Sequence, residues 1–220
     1  MALSFDGVDD QVSHGDVAGA EGQFLTIAFW AYFNTLTNND LIVDKLVAAS
    51  SGFRLWVFTG PVLRALIGAA TSGDMRTAGG VLTTGTWAHW AMVFDGTQAT
   101  SALRLKLFKD GEPLALTVAS AVPSTIIANA VAVTAGGAAG PLDGLMAGLK
   151  LWNVALTDAE IMQQALMDRP IRTDGLLIRA PYDDATAARD YSGSGNHGTV
   201  TGALAAAGPP LGYGASALVA

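Results

Sequence analysis

The sequence predicts an all-β domain, a sandwich of two antiparallel sheets with one short α-helix near residues 157–169. Short apolar runs recur along the chain and are bounded by Gly, Asn, Asp or Pro, the pattern of strands separated by tight turns. Only one stretch combines helical spacing with a start signal. Half of the 220 residues are hydrophobic and none of the apolar blocks is long, which suits one β-sandwich core in a single domain of this length.

The elements follow in order. Residues 25–33 are rich in β-formers and end at the turn-prone Asn34. Runs at 41–45, 52–58 and 63–67 come next, the last two separated by Thr59-Gly60-Pro61. Residues 87–94 close on Asp95-Gly96, and 103–108 lead into Lys109-Asp110-Gly111-Glu112. Asp-Gly between apolar runs is a strong hairpin signal, because both residues tolerate the positive φ that such turns require. Residues 113–118, 131–135, 145–152 and 175–181 read as further strands. Thr157-Asp158-Ala159-Glu160 has the form of a capping box, in which hydroxyl and carboxylate each satisfy a backbone N–H at a helix start. Ile161, Met162, Ala165 and Leu166 then share one face, and Pro170 marks the stop. Residues 185–198 are polar and Gly-rich, and 203–220 are mostly Ala, Gly, Pro and Leu. The expected organisation is one domain over 1–202 and a C-terminal arm over 203–220.

Composition excludes several functions. Nineteen acidic residues against twelve Lys and Arg give a net charge of −7, and no basic stripe offers a footprint for nucleic acid. The absence of cysteine rules out disulfides and thiolate metal sites. No apolar run approaches the roughly 20 residues of a membrane span. The opening Met1-Ala2-Leu3-Ser4-Phe5-Asp6-Gly7 has neither the basic nor the apolar segment of a secretory signal peptide, so synthesis in the cytoplasm is expected. His14, His89 and His197 are far apart and show no metal-ligand spacing. Glu21, Glu112 and Glu160 are equally scattered, whereas glycoside hydrolysis needs two carboxyl groups flanking one bond. No Gly-x-Ser-x-Gly elbow is present, and the expectation is a protein that is not an enzyme. Gly193-x-Gly195-x-x-Gly198 has the letters of a dinucleotide fingerprint without the preceding strand and following helix that the mechanism needs.

Several segments together point to a family. They are Leu3-Ser4-Phe5-Asp6-Gly7-Val8-Asp9-Asp10-Gln11-Val12, Thr26-Ile27-Ala28-Phe29-Trp30, the pair Trp87-Ala88-His89-Trp90 and Leu105-Lys106-Leu107-Phe108, then Leu142-Asp143-Gly144 through Leu151-Trp152-Asn153, and Asp190-Tyr191-Ser192-Gly193-Ser194-Gly195-Asn196-His197-Gly198. In this order, over residues 3–202, they resemble laminin-G-like, concanavalin A-like jelly-roll domains of the lectin/glucanase type. The resemblance implies two sheets face to face, one of them concave and often ligand-binding, and in many members a structural calcium at the edge. It implies Asp143 as a calcium ligand, with Asp6 and the carbonyl of Gly7 opposite it. Asp190 and Asn196 lie in a second oxygen-rich loop belonging to the same site or to another. The local alternative is that Asp6, Asp9 and Asp10 simply form turns by bonding the nearby backbone.

On the expected concave face the candidate ligand-binding residues are Arg54, Arg64 and Trp90. All five tryptophans sit in apolar strands, where core packing is the default. Trp87 and Trp90 are an odd number of positions apart and must point to opposite faces of one strand.

Two functional classes fit. The first is a non-catalytic structural or decoration protein of a viral (phage) particle or surface assembly, partnered by other virion or surface proteins or by copies of itself. The second is a lectin-like module that recognises a glycan or protein, with or without calcium. The first is preferred at this stage, because a cytoplasmic product released at lysis reaches the virion or extracellular surface without a signal peptide. An Ala/Gly/Pro-rich arm also suits a segment that orders on docking.

Overall fold

In the computed structural model, which describes residues 1–69 and 72–210, alternating side chains sort the chain into two eight-stranded antiparallel sheets. Sheet A runs in spatial order β10 (Glu112–Pro113), β9 (Leu105–Lys109), β8 (Trp87–Asp95), β3 (Phe24–Phe33), β13 (Asp143–Trp152), β1 (Ala2–Asp6) and β16 (Leu204–Ala206), with β14 (Leu176–Ala180) also paired to β13. Sheet B runs β11 (Leu116–Ser120), β7 (Gly73–Thr77), β6 (Val62–Gly68), β5 (Ser51–Phe58), β4 (Leu41–Val47), β12 (Thr134–Gly136), β2 (Gln11–Ser13) and β15 (Thr199–Thr201). This is the expected two-sheet jelly-roll sandwich.

The inner faces meet in one core. Ile27, Phe29, Trp90, Met92 and Phe94 come from sheet A, and Phe53, Leu55, Val57, Ala65 and Ile67 from sheet B. Each large side chain buried there is worth about 1.5–3 kcal/mol relative to exposure. The outer face of sheet A is partly covered: Ala28, Ala91, Val93, Phe108 and Trp152 pack with Leu156, Ile161 and Leu176. Ile161 lies on helix α2 (Asp158–Gln164). No helix among the described residues is long and apolar enough to cross a membrane.

The capping box forms as read. Thr157 N donates to Glu160 Oε2 at 2.7 Å, and Glu160 N donates to Thr157 Oγ1 at 3.2 Å. The helix stops at Gln164, short of residue 169, because the chain wraps around that side chain. Gln164 Nε2 donates to the carbonyls of Met167 and Arg169, while its Oε1 accepts from Ile171 N. Ile161 and Ala165 are buried, whereas Met162 and Leu166 are exposed. The run 103–108 opens with one helical turn, α1 (Ser101–Arg104), before β9. Only Thr134–Gly136 forms a strand where 131–135 was expected.

Strands β2, β7, β15 and β16 lie outside the apolar runs read from the sequence. In β7, Asp74 and Arg76 alternate with the core residue Met75. β2 and β15 pair with each other, and β16 pairs with β1 past the expected boundary at 202. Residues 211–220 of the expected arm lie outside the described residues.

Candidate functional site on the outer face of sheet B

Cross-strand partners point to the same face of a sheet, so the register of sheet B writes out its outer surface. One row reads Thr199, Ser13, Thr134, Asp44, Arg54, Leu66, Asp74. A second reads Trp56, Arg64, Arg76, Thr117. Arg54 forks onto Asp44, with Nε–Oδ1 at 2.8 Å and Nη2–Oδ2 at 2.9 Å. Arg64 bonds Asp74 through Nε at 2.7 Å and through Nη2. Its guanidinium also lies over two rings, 4.8 Å from the Trp56 centroid and 4.7 Å from that of Phe58. Arg76 approaches Phe58 at 5.6 Å.

This face therefore carries three arginines and two aspartates in a chain of net charge −7. The arginine side chains remain 31%, 22% and 36% exposed for Arg54, Arg64 and Arg76. Among the described residues, Asp74 Oδ1 and Arg76 Nε are buried without a hydrogen-bond partner. Planar forks of donors and carboxylate acceptors side by side can hydrogen-bond sugar hydroxyls, while the buried Trp56 and half-buried Phe58 rings seat the guanidinium of Arg64.

Of the three candidate ligand-binding residues, Arg54 and Arg64 lie on this face. Trp90 is not: it is 2% exposed and packs between the sheets against Phe33. Trp87 points the other way and pairs with Tyr32, as the odd spacing requires. The aromatic residues of the face are Trp56 and Phe58. The signal for them was present, since Arg54, Trp56 and Phe58 are two apart on one strand.

The residues proposed for calcium fall into two groups. Asp6 is the cross-strand partner of Asp143, and Gly7 N donates to Leu142 O at 3.0 Å. Gly7 has φ +75, and a Cβ there would come within 2.9 Å of Asp143 Cβ, so the close approach needs glycine. Both Asp143 oxygens already accept hydrogen bonds, from Asn34 Nδ2 at 2.8 Å and Thr35 Oγ1 at 2.9 Å. Asp190 and Asn196 belong to a separate loop folded onto β14. There the Asp190 carboxylate accepts from Arg179 N, Ser192 N, Ser192 Oγ and Asn196 N. Burial alone would raise its pKa, but these donors outweigh it and hold the carboxyl below the usual range. Asn196 Nδ2 donates to Leu177 O at 2.8 Å.

Asp6, Asp9 and Asp10 place carboxylate oxygens within 4.8 Å of one another. Burial, and then the charges of Asp6 and Asp9, raise the pKa of Asp10 against the pull of the Asp6 N–H. That crowding is what a cation would relieve. Two of the three also bond the local backbone, Asp10 Oδ2 accepting from Asp6 N at 2.8 Å and Asp6 Oδ1 from Val8 N at 2.9 Å, the turn bonding that was the local alternative.

A family model described as the concanavalin A-like lectin/glucanases superfamily, of laminin-G type, matches residues 6–162. The chain belongs to this superfamily. Among solved structures, this lectin-like domain is similar to a Bacteroides ovatus protein assigned as carbohydrate binding, with 18% identity and a TM-score of 0.61 over 92% of this chain. It spans 58% of that protein's length. It is also similar to domain 4 of an extracellular arabinanase from Geobacillus stearothermophilus, solved in complex with arabinotriose (17% identity, TM-score 0.56, 74% of this chain and 76% of that one). A third likeness is the heptameric SAP-like pentraxin of Limulus polyphemus (16% identity, TM-score 0.55, 74% and 81%). No curated protein sequence matches the chain. At these identities the likenesses establish the fold.

The three glutamates sit on separate parts of the chain. Glu21 lies 3.0 Å from Lys45 Nζ, Glu160 caps α2 and reaches Arg172, and Glu112 is exposed on β10. Gly193 and Gly195 lie in the Asp190 loop, and Gly198 bridges to Ala188, with no helix opening there.

Proposed function

We propose that this domain is a non-catalytic carbohydrate-binding module that holds an oligosaccharide across the outer face of sheet B. The observation that carries the proposal is the register itself. It sets Trp56 and Phe58 beside three arginine forks and two aspartates on one continuous surface, with polar atoms of Asp74 and Arg76 still seeking partners. The carbohydrate-binding assignment of the Bacteroides ovatus protein and the arabinotriose complex of the arabinanase domain support the same reading. The alternative of a particle or surface-assembly protein draws no support from these likenesses.

Calcium enters the proposal as a brace at the corner of Asp6, Asp9 and Asp10, not as part of the ligand face.

The test is a glycan array followed by calorimetric titration of the best oligosaccharide with wild-type protein, Trp56→Ala and Arg64→Ala. Arg64→Ala removes a central anchor and Trp56→Ala removes the ring that seats it, and affinity should fall roughly thirtyfold in each, the effect of losing about 2 kcal/mol at a hot spot. An array without a hit, or affinities unchanged in both variants, overturns the proposal.

A further inference from the structure

Beyond β14 the chain returns alongside that strand, and its residues sort by burial. Ala188 and Asp190 are buried, whereas Arg189 and Tyr191 are exposed. The backbone that carries these two outward side chains is fixed on both sides. Ala188 and Gly198 exchange backbone hydrogen bonds at 3.1 and 2.7 Å, and Tyr191 N donates to Arg179 O at 2.8 Å. The neighbouring Ser192 Oγ donates to Leu177 O at 3.0 Å and to Asp190 Oδ2 at 2.7 Å. On this mount the Tyr191 side chain is 54% exposed, and among the described residues no other Trp, Tyr or Phe is in the exposed class. A ring held out in water on a riveted backbone is a contact surface with its ordering cost already met, because Tyr offers a large rigid area through only two side-chain torsions.

Tyr191 borders a groove of about 580 Å³, which is also lined by Asp183, Asp184, Thr186, Arg189 and, from the edge strand β16, Ala205. Asp183 and Arg189 are exposed, and among the described residues neither forms a salt bridge. Asp184 is fixed differently. Its Oδ1 accepts from Thr186 Oγ1 at 2.6 Å and from Thr186 N at 2.7 Å. These bonds hold its carboxyl below the usual range, so it stays an ionised acceptor, and a carboxylate has lone pairs beyond the two used here. One groove therefore gathers an exposed ring, two carboxylates and a guanidinium. Small-molecule sites have this make-up, an apolar surface with a few convergent polar groups, and volumes of roughly 300–1,000 Å³.

We propose that this groove is a second binding site, separate from the face of sheet B, for a neutral disaccharide. The ligand's chemistry follows from the groups that line the groove. An anion would meet Asp183 and Asp184, and a cation would meet Arg189. Neighbouring hydroxyls satisfy both signs at once, donating to the carboxylates while accepting from the guanidinium fork. The Tyr191 ring supplies the apolar surface for the C–H face of a sugar, with its hydroxyl at the wet end. The proposal does not rest on the reading of the sheet B face, since the two sites share no residue.

The experiment follows the backbone amide resonances of the ¹⁵N-labelled full chain during titration with cellobiose, lactose, maltose, glucosamine hydrochloride and sodium glucuronate. At least one of the neutral disaccharides should give saturable shifts at Asp184, Arg189 and Tyr191. Tyr191→Ala, at an exposed position, should abolish the shifts at Asp184 and Arg189, and Tyr191→Phe, which keeps the ring, should retain them. Asp183→Asn should weaken binding roughly tenfold, the loss of a charged hydrogen bond. Arg64→Ala, on the other sheet, should leave the shifts unchanged, so this site and the oligosaccharide face stand or fail separately. No saturable shift at these residues with any of the disaccharides, tighter binding of glucosamine or glucuronate, or shifts that survive Tyr191→Ala would overturn the proposal.

Discussion

Two lysines are buried in this domain, and the fold treats them differently. Lys45 Nζ donates to Asp16 Oδ1 at 2.7 Å, to Val131 O at 2.7 Å and to Asn129 O at 3.1 Å, with Glu21 also at 3.0 Å. Lys150 has one carbonyl, Gly148 O at 3.2 Å, and burial pushes its pKa down to about 8. Between that value and the ordinary 10.5, the unfolded chain keeps a proton that the folded chain has released. Wild-type stability therefore rises with pH across this window, and below about pH 8 the full cost of the buried charge is present. Lys150→Met should accordingly raise the melting temperature at pH 7, and the gain should shrink towards pH 10. A variant less stable than wild type at pH 7 would mean that Lys150 is better paired than its surroundings show. Residues of the acidic corner give a second test: calcium should raise the melting temperature, and Asp9→Ala, an exposed position, should remove that response. No response in wild type would exclude the brace. Arg54 and Arg64 were legible in the sequence because charged residues inside apolar strands must point outward. The same alternation places Trp56 on that face, but its 6% exposure, with the Arg64 side chain lying over it, is a tertiary contact that alternation cannot reveal.

Among the elements, the helix shows most plainly how local chemistry sets stability. Thr157 and Glu160 exchange backbone bonds at its start, and the helix then seats Ile161 on Phe108 and Trp152 of sheet A. Thr157→Ala should cost about 1 kcal/mol in denaturant unfolding, within the usual range for a lost cap, with the slope of the transition unchanged. A loss near zero would show that packing of Ile161 alone holds the helix. Long strands such as β3, β5, β8 and β13 were readable because each carries its own apolar run. β2, β7, β15 and β16 were not, because they are recruited by backbone pairing to neighbours already in place, and Asp74-Met75-Arg76 offers one core residue in three. The helix end was misplaced for a similar reason: the Gln164 amide, a side chain with no helix-stop signature, gathers the following loop onto itself.

For the whole molecule, the two sheets divide the work. The outer face of sheet A is partly roofed by α2 and the residues before and after it. Among the described residues, the outer face of sheet B carries a small apolar cluster of Leu41, Trp56 and Leu66 beside its arginines, with Leu46 and Ala49 packed against it. The fold class was legible from strand spacing and turn chemistry. The functional face was legible only in part, because it depends on which strands become neighbours: Arg76 joins Arg64 through a strand, β7, that the sequence does not announce. The most direct test of the central claim is a map of backbone amide shifts on adding the best oligosaccharide from the array. The account predicts shifts concentrated at Asp44, Arg54, Trp56, Arg64, Leu66, Asp74 and Arg76. Shifts confined to sheet A, or to the acidic corner alone, would contradict it.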